Sequence, residues 1–161
     1  MADADLLKGI EFFKNIDSHT LQELSSHGRV REYDKGMIVY RAKEQVKYIY
    51  FQLQGKSILY NMTHSGSRKI IFILGRGELL YDYVSGEQKT SLFCETIEKS
   101  AILEIPFSVF LKQMEKDFKL TSKVISSQER KIWRLGHQLK NTMGSIYLER
   151  KLAAKLWKLS R

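Results

Sequence analysis

The residues most able to do chemistry gather around one stretch, FILGRGELL at residues 72–80. An apolar run breaks at Gly75-Arg76-Gly77 and resumes as Glu78-Leu79-Leu80. Two readings of the break stay open. Backbone N–H groups turned inward by glycines can cradle a phosphate. Two glycines around one residue can equally make a tight corner between strands. The other candidates are scattered. His19, His27, His64 and His137 do not share the spacing of metal ligands. Cys94 is the only cysteine, which excludes an internal disulfide and an iron–sulfur cluster ligated by one chain. Its setting, LFCET, is that of a buried, inert thiol.

The elements that must position these residues change texture along the chain. In the first thirty residues, Leu6, Leu7, Ile10 and Phe13 fall at helical spacing. Asp17 or Ser18 can cap a second helix carrying Leu21 and Leu24 inward, and Gly28 is its expected stop. From Val30 to Pro106, short segments rich in Val, Ile, Phe, Tyr and Leu alternate with five turn signals: YDKG, LQGK, HSGS, LGRG and VSGE. The spacing predicts strands near 47–53, 56–62, 68–74, 91–96 and 100–105. Seven or eight such strands fit a mainly β fold, a small barrel or jelly roll (a double-stranded β-helix) with flanking helices.

After Pro106 the chain turns helical. Asp117 can cap a long helix running to about Met143. Along it Phe118, Thr121, Ile125, Gln128, Ile132, Leu135, Leu139 and Thr142 alternate at spacings of three and four, a heptad seam. The seam points to a parallel homodimer; the alternative is packing on the chain's own barrel. Asn141 to Gly144 is the expected break and hinge. A further amphipathic helix starts near Ile146, with Leu148, Leu152, Leu156 and Leu159 on one face and Trp157 beside them. That uncovered face is expected to be the first helix of a domain whose remainder is missing.

The formal net charge of +9 is unevenly placed. Residues 1–110 hold 14 Lys and Arg against 14 Asp and Glu, whereas residues 111–161 hold 13 against 4. A basic last third on a neutral body suggests a nearby polyanion such as nucleic acid, or else a lysine-rich solvated helix face. No basic and apolar leader begins the sequence, no apolar run is long enough to cross a bilayer, and the expected location is cytoplasmic. Cupin-like metal enzymology would need clustered His and carboxylate ligands, and only His64 falls within the barrel segment. The chain is therefore not expected to be an enzyme.

Helices, glycine-turned strands, a long helix and a further helix, in that order, resemble the Crp/Fnr family of bacterial transcription regulators. YDKG, Leu53-x-Gly55, Ser65-Gly66 and Leu74-Gly75-x-Gly77-Glu78 are similar, turn for turn, to that family's cyclic-nucleotide-binding barrel. AILEIPFSVFLKQM is similar to the lead into its dimer helix, and ERKLAAKLWKLSR to the opening of its winged helix-turn-helix domain. The resemblance implies three parts: a sensing β-roll with N-terminal helices over 1–116, a dimerisation helix over 117–143, and a hinge with the first helix of a truncated DNA-binding domain over 144–161. DNA would then be a partner of the parent protein and not of this chain.

The same resemblance implies an effector site. Glu78 stands where the family's ribose acceptor stands. Lys89-Thr90 occupy the place of an Arg followed by a small hydroxyl residue that takes a cyclic phosphate. Lysine is a point charge without arginine's planar fork, so a cyclic nucleotide is disfavoured as effector. No cofactor or metal is expected. Leu79, Tyr81, Tyr83, Trp133 and His137 join Glu78, Lys89 and Thr90 as candidate effector contacts between roll and long helix. For Lys89 a solvated loop position is the alternative, and for Tyr81 and Tyr83 ordinary core or strand-face packing. For Trp133 and His137 it is an exposed or interface position. Ile125, Gln128, Ile132, Leu135 and Leu139 are the dimer candidates, and Asn141 and Gly144 the hinge. A cyclic-nucleotide regulatory domain of a kinase or channel is the competing identification.

Overall fold

The computed structural model describes residues 4–81, 89–143 and 148–160. Two compact units emerge, Met1–Ile125 and Ser126–Arg161. The first begins with α1 (Ala4–Lys8), a 3-10 turn (Glu11–Phe13) and α2 (Ser18–His27). Asp17 caps α2, accepting from the N–H groups of His19 and Thr20, and Gly28 ends it. Both boundaries match the expectation from sequence.

Among the described residues seven strands follow: β1 (Arg29–Tyr33), β2 (Ile38–Tyr40), β3 (Tyr48–Gln54), β4 (Ser57–Met62), β5 (Arg68–Leu74), β6 (Phe93–Thr96) and β7 (Ser100–Pro106). They form two antiparallel sheets, ordered β1-β7-β3 and β2-β6-β4-β5. The fold is thus an antiparallel β-roll with flanking helices, as the turn spacing predicts. Gly36, Gly55, Gly66 and Gly77, one from each of four turn signals, take positive φ; VSGE lies outside the described residues. At Gly55 the chain passes from one sheet to the other. A Cβ there would lie 2.5 Å from the Lys99 carbonyl oxygen and would also strike the Ser100 hydroxyl, so only glycine fits.

The core lies between the sheets and continues under the N-terminal helices. Phe12 and Phe13 pack on Phe51 of β3, each with ring centroids 4.8 Å away, and Phe51 meets Phe110 of α3 (Phe107–Lys116) at 5.9 Å. Phe13, Phe51 and Phe110 are fully buried, and each such side chain contributes about 1.5–3 kcal/mol by leaving water. The N-terminal helices are thereby fastened to β3, the strand that the residues of the glycine corner run beside.

Asp117 separates α3 from α4 (Phe118–Met143), a 26-residue helix. Its Oδ1 accepts from the N–H groups of Lys119 and Leu120, the cap expected from the sequence. Leu120 and Val124 face the core. The apolar seam residues stay open: Ile125 is 50% exposed, Ile132 68% and Leu139 59%, and Leu135 is also exposed, whereas Gln128 is half-buried. The expected hinge residue Asn141 is in the last turn of α4, whereas Gly144 lies outside the described residues. In the second unit α5 (Leu148–Leu159) carries exposed Leu152, Leu156, Trp157 and Leu159. Among the described residues no helix is long and apolar enough to cross a membrane.

Candidate functional site

The stretch that opened the question folds as a corner closed upon itself. After β5, the Glu78 N–H donates to the Gly75 carbonyl at 3.1 Å. The Gly75 N–H in turn donates to Glu78 Oε2 at 2.7 Å. Gly77 supplies the positive φ, +82°, that turns the chain. Beyond the turn the backbone runs beside β3. The Gly77 N–H donates to the Gln52 carbonyl at 2.7 Å, the Gln52 N–H to the Glu78 carbonyl at 3.0 Å, and the Leu80 N–H to the Tyr50 carbonyl at 2.8 Å. Three of the corner's N–H groups, those of Gly75, Gly77 and Glu78, and one carboxylate oxygen are therefore spent within the turn and its strand neighbour.

Side chains after the corner go inward. Leu79 and Leu80 are fully buried and Tyr81 is 1% exposed. Tyr81 packs edge-on against Tyr40, with centroids 5.8 Å apart, and against Phe107 at 6.4 Å. Tyr40 also lies beside Tyr50, and its hydroxyl donates to the Leu80 carbonyl. Three tyrosines from β2, β3 and the corner thus share one interior patch. The expectation for Tyr81 left core packing open as an alternative, and the structure places it in the core. Tyr83 lies outside the described residues.

Lys89 is exposed, and Thr90 is 1% exposed. Thr90 is held by backbone: its carbonyl accepts from the Lys43 N–H at 2.7 Å, and its N–H donates to the Glu44 carbonyl at 3.2 Å. Its hydroxyl closes a local turn with the Leu92 carbonyl at 3.1 Å. Trp133 and His137 lie one turn apart on α4 with their rings tilted at 49° and centroids 4.0 Å apart, both residues open to solvent. Glu78, Leu79 and Tyr81 are thus brought together on one run of backbone, Thr90 is fastened to the 43–44 turn, and Trp133 and His137 make a pair of their own.

Sequence reasoning passed over a buried carboxylate on β7, the strand between β1 and β3. Glu104, 1% exposed on β7, accepts from Arg29 Nε and from the Tyr33 hydroxyl, both at 2.6 Å. Burial first, and then the hydrogen bond to Glu104, holds the Tyr33 phenol far above its ordinary pKa. Burial and the nearby Glu104 charge do the same to Tyr50. The signal was available: a glutamate inside the apolar run AILEIP demands a partner. Among the described residues no group of three or more His, Cys, Asp or Glu could hold a metal ion.

Residues 30–117 match the family model described as cyclic nucleotide-binding domain. No match was found among curated proteins. Among solved structures, the sensor domain of the transcriptional regulator DNR from Pseudomonas aeruginosa is similar, with 18% identity and a TM-score of 0.68, over 89% of this chain and 95% of that one. The catabolite activator protein of Thermus thermophilus is similar at 17% identity and a TM-score of 0.68, over 80% of this chain and 61% of that one. So is the regulatory subunit of a cAMP-independent protein kinase A from Trypanosoma brucei, at 14% identity and a TM-score of 0.66, over 81% of this chain and 49% of that one.

Proposed function

The chain belongs to the cyclic nucleotide-binding domain family, and on that premise we propose that it is the effector-sensing and dimerising part of a Crp/Fnr-type transcription regulator whose effector is not a cyclic nucleotide. The observation that carries the dimerising role is α4. It continues the roll for 26 residues and leaves Ile125, Ile132, Leu135 and Leu139 exposed at heptad spacing. An effector taken up by the roll favours one pairing of the two long helices through its differential affinity for the two arrangements. The parent protein's grip on DNA follows that pairing. The basic last third supports a polyanionic partner.

The corner supports the second half of the proposal. A carboxylate oxygen of Glu78 is engaged by its own turn, Tyr81 fills the interior beside it, and Lys89 lacks the fork that pairs with two phosphate oxygens. Sedimentation equilibrium tests the dimer. The chain should sediment as a dimer at micromolar concentration, and Ile132→Asp combined with Leu139→Asp should give a folded monomer. A wild-type chain that stays monomeric would overturn the dimerising role.

A further inference from the structure

Two consecutive helices of the second unit each leave an apolar stripe open. α4 ends at Met143 and α5 begins at Leu148, and so short a connection sets helices antiparallel. Arg134 of α4 is accordingly among the cations that bear on Lys158, near the far end of α5. The two helices meet through polar faces. Between residues 129 and 140 of α4, only Lys131, Arg134 and Gln138 are buried or half-buried. Of the described α5 side chains, only Ala154 and Lys158 are half-buried. Lys158 Nζ is enclosed without a hydrogen-bond partner, and burial, then the Arg134 and Lys155 cations, lower its pKa. An enclosed ammonium beside like charge is costly. Meanwhile Leu152, Leu156 and Leu159 stand in water. α5 thus lies on α4 with its lysine inward and its leucines outward.

That leucine stripe matches another face of α4. Ile132, Leu135 and Leu139 are spaced by three and then four residues, and so are Leu159, Leu156 and Leu152 read in the opposite direction. In an antiparallel pair, one residue up the first helix is one residue down the second. Counted from Arg134 opposite Lys158, Leu152 falls one residue from the level of Leu139, Leu156 one from Leu135, and Leu159 one from Ile132. The offset is the same at all three and amounts to about 1.5 Å along the axis. We propose that α5 is a latch, which rolls about its own axis and around α4 to lay Leu152, Leu156 and Leu159 on Leu139, Leu135 and Ile132. The move returns Lys158 to solvent and covers both stripes at once. A seam covered in this way is closed to a second copy, and the structure shows the open arrangement, with the seam free. The consequence for assembly rests on the dimerising role proposed above. The latch itself does not, because it is a contact within one chain.

The test uses cysteine pairs in the whole chain, whose native Cys94 is buried. Leu135→Cys with Leu156→Cys face each other only in the latched arrangement, and a disulfide needs their Cβ atoms about 3.5–4.5 Å apart. Arg134→Cys with Lys158→Cys is the control for oxidation of the open arrangement. In dilute folded protein the 135–156 pair should close within one chain, read by peptide mass. The closed form should then sediment as a monomer where its reduced form is a dimer. Leu152→Gln with Leu156→Gln leaves α4 untouched, and by unlatching the seam it should tighten dimerisation about tenfold or more. Failure of the 135–156 pair to close within one chain overturns the proposal. So does a glutamine variant that dimerises as wild type does, or more weakly. If neither wild type nor the glutamine variant dimerises, the dimerising role fails, and the disulfide alone decides the latch.

Discussion

Glu78 offers the sharpest separation of a structural corner from a ligand cradle. Its Oε2 accepts the Gly75 N–H at 2.7 Å and closes the turn that delivers Leu79, Leu80 and Tyr81 to the core. Replacing it with alanine removes a charge-assisted hydrogen bond and leaves that N–H without its partner. Bonds to charged groups contribute about 1.5–3 kcal/mol. Because Glu78 is only partly buried, the lower end applies, about 1.5 kcal/mol. For a unit of this size that corresponds to a fall in melting temperature of roughly 5 °C. Glu78→Gln keeps an acceptor and should lose only about 0.5 kcal/mol. Urea unfolding of the three proteins, followed by circular dichroism, measures both differences. A carboxylate held in place for a ligand behaves in the opposite sense, since functional groups are commonly kept at a cost in stability. If Glu78→Ala unfolds within about 0.3 kcal/mol of wild type, or is more stable, the structural account of the corner is refuted.

Three further outcomes follow from the fold. Gly55→Ala meets both an unfavourable φ of +79° and the Lys99 carbonyl at 2.5 Å, and should cost about 3 kcal/mol or more. Gly77→Ala meets only the φ, with Ile10 at an ordinary 3.5 Å, and should cost about 1–2 kcal/mol in the same urea assay. Glu104→Leu strands the buried Tyr33 hydroxyl and should cost about 2–3 kcal/mol by the same measurement, whereas loss of a merely superficial ion pair would cost under about 1 kcal/mol. The raised phenols of Tyr33 and Tyr50 also set a pH dependence. Above the ordinary value of 10.0 the unfolded chain releases protons that the folded chain keeps. Their contribution should be flat below that pH and fall above it, visible as a lower urea midpoint at about pH 11 than at about pH 9.

Much of the framework was legible because its signals are local. Asp17 and Asp117 mark helix starts by side-chain capping, Gly28 marks a stop, and Gly36, Gly55, Gly66 and Gly77 mark turns that need a positive φ. Each of these acts within a few residues of itself, so the chain alone reveals it. Long-range contacts were not legible in this way. That Tyr81 meets Tyr40 and Tyr50 depends on which strands become neighbours. So does the meeting of Glu104 with Arg29, 75 residues away. The joined caps at Asp17 and Asp117 lie 100 residues apart, and neither cap announces the other. The heptad seam sits between these cases: its periodicity is local, and the structure adds that the stripe stays exposed.

The most direct test is a calorimetric titration of the whole chain with cyclic AMP. Glu78 engaged by its own turn, Tyr81 in the core and an exposed lysine, Lys89, in place of arginine predict no heat of binding from folded protein at millimolar nucleotide. One-site binding with a Kd below about 100 μM would contradict the account, and would mean that Lys89 and Thr90 hold the phosphate after all.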